Sequence, residues 1–281
     1  MYKRLIAFLI LIAVFFGGCG NNDINIPGSA DKEASPALSQ MRIMTMKIGK
    51  ADAIIIENRG RFMVIDAGES EDGDKVASYL RSRGAFSIEY MILTHLDKDH
   101  IGGAASLIEG MRVENLIQSQ NSETSKEFRE YKIACERKGI RPILLNEVME
   151  FDFAGARVRL LPGEKTRYKN DNDYSIMAEI SYGEQRFLFA GDAMNERLKE
   201  YLKGETKPFD FLKVPHHGVF CSMMPEFIKK VSPTYSVITC SEKNPPDDRV
   251  MTLLAEAGSE IFLTDAKHVL ALTNGNSLTV K

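Results

Sequence analysis

The sequence predicts an α/β protein built of two mixed sheets stacked face to face, with helices on the outside. Three observations lead there. The folded part opens with three strand-type runs, then alternates strand and helix, and a similar layout returns in the second half, the order that two packed sheets with outer helices produce. The apolar runs are short, of strand length, and separated by Gly, Asn and Asp turn signals. The residues able to do chemistry are grouped: Thr94-His95-Leu96-Asp97-Lys98-Asp99-His100-Ile101-Gly102-Gly103, then Gly191-Asp192, then Pro215-His216-His217-Gly218, each directly after such a run.

Taken in order, residues 41–47, 53–57 and 61–66 read as strands, with Asn58-Arg59-Gly60 as a hairpin turn between the last two. Asp66-Ala67-Gly68 ends the third strand with a carboxylate and a glycine. Residues 72–83 have helical spacing, with Val76, Tyr79 and Leu80 on one side and Gly84 at the C-cap position. A buried-type strand over 90–94 delivers the first motif, and a helix over 104–109 starts beneath its two glycines. Strand 113–117, helix 122–138 capped by Gly139, strand 143–145 and a hairpin around Ala154-Gly155 follow. The second half begins with a hairpin across Gly183-Glu184, whose second strand ends at Gly191-Asp192. Helix 195–202 and strand 209–214 lead to His216 and His217. Helix 224–231, strand 235–239, helix 248–257, strand 261–264 and a strand pair across Asn274-Gly275 close the chain.

The bulk numbers bound the function. A chain of 281 residues suffices for a well-buried core. A net charge of −3 is unlike that of a strong non-specific nucleic-acid binder, but it leaves a nuclease open, because metal ions supply positive charge locally. Residues 1–18 read as a signal peptide: Lys3 and Arg4 precede an apolar stretch over 5–16 that is too short to span a bilayer. It ends at Phe16-Gly17-Gly18-Cys19, and small residues before a cysteine resemble a bacterial lipoprotein signal, in which Cys19 becomes the lipidated N-terminus. Residues 19–40, rich in Asn, Asp, Ser, Pro and Ala, read as a flexible linker, and 41–281 as one folded domain. Cys135, Cys221 and Cys240 have no close spacing, so they define neither a disulfide framework nor a CxxC metal site.

Four of the five histidines, His95, His100, His216 and His217, sit in two of the strand-ending motifs, and Asp97, Asp99 and Asp192 stand around them. Three or four imidazoles with three carboxylates can hold two divalent metals with one Asp as bridge. Two ions about 3.5–4 Å apart lower the pKa of a shared water and neutralise charge building on a substrate. Asp66 is either a carboxylate that orients a metal ligand or a strand-ending turn. Gly102 and Gly103 either admit an anion to the backbone or serve packing. Lys98 and Lys213 are surface or strand-edge lysines, or cations that stabilise added charge. His268 lacks a partner motif and is structural.

Thr-His-Leu-Asp-Lys-Asp-His-Ile-Gly-Gly resembles the HxHxDH signature of the metallo-β-lactamase superfamily, with Asp97 in place of the second His. With Leu-Phe-Ala-Gly-Asp-Ala at 188–193, Leu-Lys-Val-Pro-His-His-Gly at 212–218 and Asn-Asp-Tyr-Ser-Ile at 172–176, the chain is similar to the ComEC-type competence branch over about 41–281. The resemblance implies a four-layer αβ/βα sandwich with a site for two divalent ions, zinc or manganese, at one edge. It assigns His95 and Asp97 to one ion, Asp99 and His100 to the other, and Asp192 as bridge, with His216 favoured over His217 to complete the second. Asp99 and Asp192 form the catalytic pair. No histidine lies between His100 and His216, so Asp173 or a water is expected in place of the superfamily's further ligand. Pro245-Pro246 stands where the branch often has a His. The implied function is a phosphodiesterase or nuclease acting on extracellular DNA, single-stranded DNA among the substrates, through metal-activated hydroxide, in an exported protein held at the membrane by its lipid. Alternatives are a cell-surface phosphoesterase, such as one acting on phosphocholine, another ester or lactam hydrolase, or a metal- or DNA-binding module without catalysis.

Overall fold

The computed structural model describes residues 39–205 and 207–281. The expected signal peptide, Cys19 and most of the linker lie outside the described residues.

Why the isoleucine-rich runs become central strands follows from where their alternate side chains go. Along Ile54-Ile55-Ile56, Ile54 and Ile56 enter the layer between the two sheets, while Ile55 enters the layer between sheet and helices. A strand covered on both faces has no polar face to alternate with, so it reads as continuously apolar. The first sheet contains β1 (Met41–Thr45), β2 (Ile54–Asn58), β3 (Arg61–Ile65), β4 (Ser87–Leu93), β5 (Arg112–Gln118) and β6 (Ile143–Leu144). The second contains β7 (Met149–Phe153), β8 (Ala156–Leu161), β9 (Met177–Tyr182), β10 (Gln185–Phe189), β11 (Phe211–Lys213), β12 (Tyr235–Ile238) and β13 (Glu260–Leu263). The last hairpin, β14 (Val269–Thr273) and β15 (Leu278–Val280), returns to the first sheet, where Thr273 faces Met41. The orders are β15-β14-β1-β2-β3-β4-β5-β6 and β13-β12-β11-β10-β9-β8-β7. Ile43, Met63 and Ile92 meet Phe153, Phe187 and Phe211 in the layer between them.

Helices α1 (Gly73–Ser82), α2 (Lys98–Ile101), α3 (Ala104–Gly110) and α4 (Lys126–Lys138) precede β6 in the chain; Val76, Leu80, Leu107, Ile108 and Tyr131 of α1, α3 and α4 join the outer core of the first sheet. Helices α5 (Asn195–Tyr201), α6 (Met224–Val231) and α7 (Asp248–Glu256) cover the second through Leu198, Phe227 and Leu254. This is the predicted four-layer αβ/βα sandwich. The hairpin turn after β2 is as expected, with Arg59 and Gly60 both left-handed (φ 51° and 72°), the signature of a type I′ turn. Helix α4 starts later than its periodicity suggested, because the Ser125 side chain accepts from Phe128 N at 3.1 Å and fixes the N-terminus there. The one-turn helix α2, inside the first motif, was not anticipated.

Each sheet has a parallel half, β3-β4-β5-β6 and β10-β11-β12-β13. Parallel strands connected by outer helices deliver their C-terminal ends to one edge, where ligands of open α/β sheets bind. Asp66 follows β3, His95 follows β4, Asp192 follows β10, His216 and His217 follow β11, and Thr239 follows β12.

Gly102 and Gly103 resolve as packing glycines. A Cβ on Gly103 would lie 2.2 Å from Ala67 O and 2.6 Å from Gly73 N; one on Gly102 would lie 2.5 Å from Lys98 O and 2.6 Å from Ser70 N. The surroundings are backbone, which cannot swing aside. Gly103→Ala is expected to lower folding stability by about 2–3 kcal/mol, read as a lower urea midpoint at unchanged slope; an unshifted midpoint would show that the backbones part freely.

Candidate metal centre

The first motif is fixed by Asp66. This residue is fully buried and left-handed (φ 59°), a conformation costing a non-glycine residue about 1–2 kcal/mol. It is held by three hydrogen bonds: Thr94 N donates to Oδ1 at 2.8 Å, Thr94 Oγ1 donates to Oδ2 at 2.7 Å, and His100 Nδ1 donates to Oδ2 at 2.8 Å. Since Thr94 gives its hydroxyl proton to Asp66, its oxygen accepts from His95 Nδ1, 3.2 Å away. Asp66 therefore orients two imidazoles, one directly and one through Thr94, the first of the two roles expected for it.

The second sheet repeats this device. Thr239 Oγ1 donates to Asp52 Oδ1 at 2.5 Å and accepts from His217 Nδ1 at 3.0 Å. All three histidines thus spend Nδ1–H outward, which turns Nε2 of each ring away from those acceptors. These Nε2 atoms of His95, His100 and His217 are buried and make no hydrogen bond within the protein. Asp192 Oδ2 stands among them, 3.3 Å from His100 Nε2 and 3.0 Å from His217 Nε2, without the alignment of a hydrogen bond to either. The donor atoms of His95, His100 and Asp192 lie within 4.8 Å of one another, as do those of Asp99, His100 and His217. Buried imidazole nitrogens without partners, converging with carboxylates, fit a divalent cation and little else, because leaving them bare costs free energy. The nitrogen and oxygen donor set suits zinc and manganese alike.

Backbone geometry selects which of the two adjacent histidines enters. His216, His217 and Gly218 are all left-handed (φ 47°, 53° and 75°), and this tight turn sends the two rings to different places. His217 points inward and is buried, its Nε2 3.7 Å from Asp99 Oδ2. His216 is 21 % exposed; its Nε2 lies 3.3 Å from Asn172 Nδ2 and 4.0 Å from Asp192 Oδ2. The expectation favoured His216 to complete the set; the structure instead groups His217, and not His216, with Asp99 and His100. Asp97 lies at the rim, 38 % exposed and 3.6 Å from His95 Nε2, outside the two tight groups.

Asp173 is also corrected. It is no stand-in ligand, since its Oδ1 accepts from Met194 N at 2.9 Å and Arg197 N at 3.1 Å, capping α5. The segment around it is a brace: Ser175 Oγ accepts from Asp192 N at 3.0 Å, and Ile176 N donates to Thr94 O at 2.8 Å. Lys213 is neither a surface lysine nor a cation able to meet a substrate. It is fully buried, ion-paired with Asp52, 3.1 Å from Gly191 O and 3.5 Å from Asp192 Oδ1. Lys98 is exposed on α2. His268 accepts from Lys47 N at 2.8 Å, away from the centre.

Asp52, Thr239 and Lys50 escaped the sequence reading. Asp52 carries a signal in retrospect, a carboxylate between two alanines at the entrance to the isoleucine run. Thr239 ends its strand as Thr94 ends β4. Lys50 carries none.

Charge in the centre is strongly coupled. Burial opposes a charge on His100, but the Asp192 and Asp66 carboxylates outweigh it and hold its pKa well above the usual imidazole value. Burial likewise opposes ionisation of Asp192, yet His217, His100 and Lys213 keep it well below the usual carboxylate range. For Lys213, Asp52 and Asp192 outweigh burial and raise its pKa.

Comparison with known proteins gives the family of the fold. Residues 47–241 match the family model of the Metallo-beta-lactamase superfamily. Recombination protein 2 of Haemophilus influenzae is 25% identical over 211 residues, 73% of this chain and 25% of that protein. ComE operon protein 3 of Bacillus subtilis is 25% identical over 256 residues, 81% of this chain and 32% of that protein. The chain therefore spans a quarter to a third of the length of these relatives. Among solved structures, the metallo-beta-lactamase fold protein YhfI from Bacillus subtilis superposes with a TM-score of 0.55 at 10% identity, over 84% of this chain and 100% of that one, a likeness of fold.

Lys213→Met is expected to destabilise the protein by about 3–5 kcal/mol, because Asp52 and Asp192 are left buried and unpaired; chemical denaturation checks it, and a loss below about 1 kcal/mol would mean the carboxylates find other partners. A metal ligand must be unprotonated at Nε2, so a cation bound at His100 displaces a proton from a group with a raised pKa. Affinity for manganese or zinc is expected to fall as pH drops from 8 to 6, with proton release at neutral pH. Calorimetric titration in buffers of different ionisation heat measures that release, and its absence would contradict a protonated His100.

Proposed function

The chain belongs to the metallo-β-lactamase superfamily, and on that premise we propose that this metallohydrolase is a phosphodiesterase acting on DNA, with two divalent ions at the edge shared by its two sheets. The observation that carries the reading is the convergence of three unpartnered Nε2 atoms on Asp192. Each imidazole nitrogen serves one ion, so His95 with Asp97 and Asp192 would hold one, and Asp99, His100 and His217 the other, with Asp192 between them. Zinc and manganese are both compatible with these donors. When bound, such ions supply an activated water near neutral pH and offset charge on a phosphoryl group.

The protein's own residues do the rest. Asp66 and the Asp52–Thr239 pair hold the three imidazoles with Nδ1–H outward, so Nε2 of each ring faces the ligand side, and on His100 the proton there leaves when a cation binds. Lys213 holds Asp192 Oδ1 and leaves Oδ2 for the ligand side. Asp97 and His216 border the mouth, where a substrate arrives. DNA is favoured as the polymer by the similarity to ComE operon protein 3 and Recombination protein 2, and a net negative protein needs its metals to attract one. No helix among the described residues is long and apolar enough to cross a membrane. With a leader and Cys19 ahead of the domain, we place the enzyme outside the cytoplasm, lipid-anchored to the bacterial membrane.

The test uses protein stripped of metal and reloaded with manganese or zinc, 5′-labelled single-stranded DNA, and Asp192→Ala as control. Metal-dependent shortening that disappears in the variant is expected. Intact DNA with metal demonstrably bound would remove DNA as substrate and leave envelope phosphodiesters such as phosphocholine esters. Failure to bind metal at all would favour a binding module without catalysis.

A further inference from the structure

Lys50 lies in the loop between β1 and β2, and its Nζ sits 2.7 Å from Asp99 Oδ2 with 39 % of the side chain exposed. That oxygen is also the one 3.7 Å from His217 Nε2, so the ammonium occupies the ligand-facing oxygen of the Asp99 group. A lysine and a divalent cation compete for one carboxylate oxygen, since like charges a few ångströms apart repel. A metal that takes Asp99 therefore expels the ammonium. Its destination is limited. Asp52, Asp66 and Asp192 are buried and engaged with Lys213 and the histidines, and the remaining acid whose charge bears on Lys50 is Glu69. The flexible four-carbon stem and its three donors then face the solvent side of the centre.

We propose that Lys50 is the substrate-facing cation of this site: metal bound at Asp99 releases it, and the freed ammonium pairs with a non-bridging oxygen of the phosphodiester. The inference rests on the phosphodiester reading for its substrate, though not for its metal linkage. It also explains how an anion enters a region holding Asp52, Asp66, Asp97, Asp99 and Asp192. Lys213, the other lysine of the centre, is fully buried and committed to Asp52. Lys50 is the one that reaches the mouth.

Three measurements on the full chain test this with Lys50→Met and Lys50→Arg. Manganese titrated by calorimetry at pH 7.5 should bind Lys50→Met about 3–5-fold more tightly than wild type, the size of a half-exposed ion pair. Inorganic phosphate titrated into the manganese-loaded proteins should bind Lys50→Met several-fold more weakly, and Lys50→Arg close to wild type. With cleavable DNA, Lys50→Met should raise KM about tenfold while kcat changes less than threefold. Tighter manganese with weaker phosphate sustains the proposal; unchanged manganese affinity or unchanged phosphate affinity overturns it. If wild type leaves DNA uncut, the DNA reading fails while the two titrations still decide the role of Lys50.

Discussion

The centre depends on one constraint: each of the three inward histidines gives its Nδ1–H to a buried carboxylate or to a threonine hydroxyl tied to one. His100 reaches Asp66 directly, His95 reaches it through Thr94, and His217 reaches Asp52 through Thr239. An imidazole free to flip would present N–H or lone pair at random. Here the hydroxyl of each threonine has one proton, already committed to an aspartate, so it can only accept from the ring. The ring orientation follows from that count of protons, and with it the inward direction of three Nε2 atoms. The same arrangement arises on both sheets from unrelated stretches of sequence, because both solve one problem with a strand-ending threonine and a nearby buried acid.

A second constraint is charge. Five aspartates gather in and around the centre, against two lysines. Lys213 comes from the second sheet and pairs with Asp52 from the first, so the ion pair joins the two halves while it neutralises them. Its neighbours are all strand-end groups: Gly191 O, Asp192 Oδ1 and Asp52. A buried pair of this kind contributes little by itself, but breaking it is expensive. This asymmetry makes Lys213 a structural residue although it lies a few ångströms from the proposed ligands.

Much of this was legible in the sequence. The Ile-rich runs, the turn glycines and the spacing of helices gave the two-sheet architecture, since burial on both faces leaves an unmistakable apolar run. The three motifs point to His95, Asp99, His100 and Asp192, which the fold brings together, and to Asp66, which hydrogen-bonds His100. What stayed hidden depends on side-chain direction and on contacts between distant segments. Nothing in Pro215-His216-His217-Gly218 says which ring turns inward, because the answer lies in three consecutive left-handed residues. Asp173 looked like a substitute ligand by type, but its oxygen faces the N-terminus of α5. Asp52 is not legible as a site residue because its partners, Thr239 and Lys213, come from the other half of the chain.

Because those partners come from both halves, the centre exists only when the sheets are stacked. Ile176 N holds Thr94 O, Asp52 N donates to Asp99 O at 3.1 Å, and His216 N donates to Gly191 O at 3.1 Å. Each bond closes a long loop of chain, so the ligand atoms are brought together by the fold and not by local sequence. The unfolded chain has no comparable site, so a cation that binds the assembled centre would stabilise the fold by RT ln(1 + [L]/Kd). That gain falls on the edge where five carboxylates repel one another and where left-handed Asp66, His216 and His217 store backbone strain. The physical logic of the molecule is then that the core between the sheets supplies the stability, the parallel strand ends spend some of it to hold a repulsive, strained constellation in place, and a cation held there would restore part of what was spent.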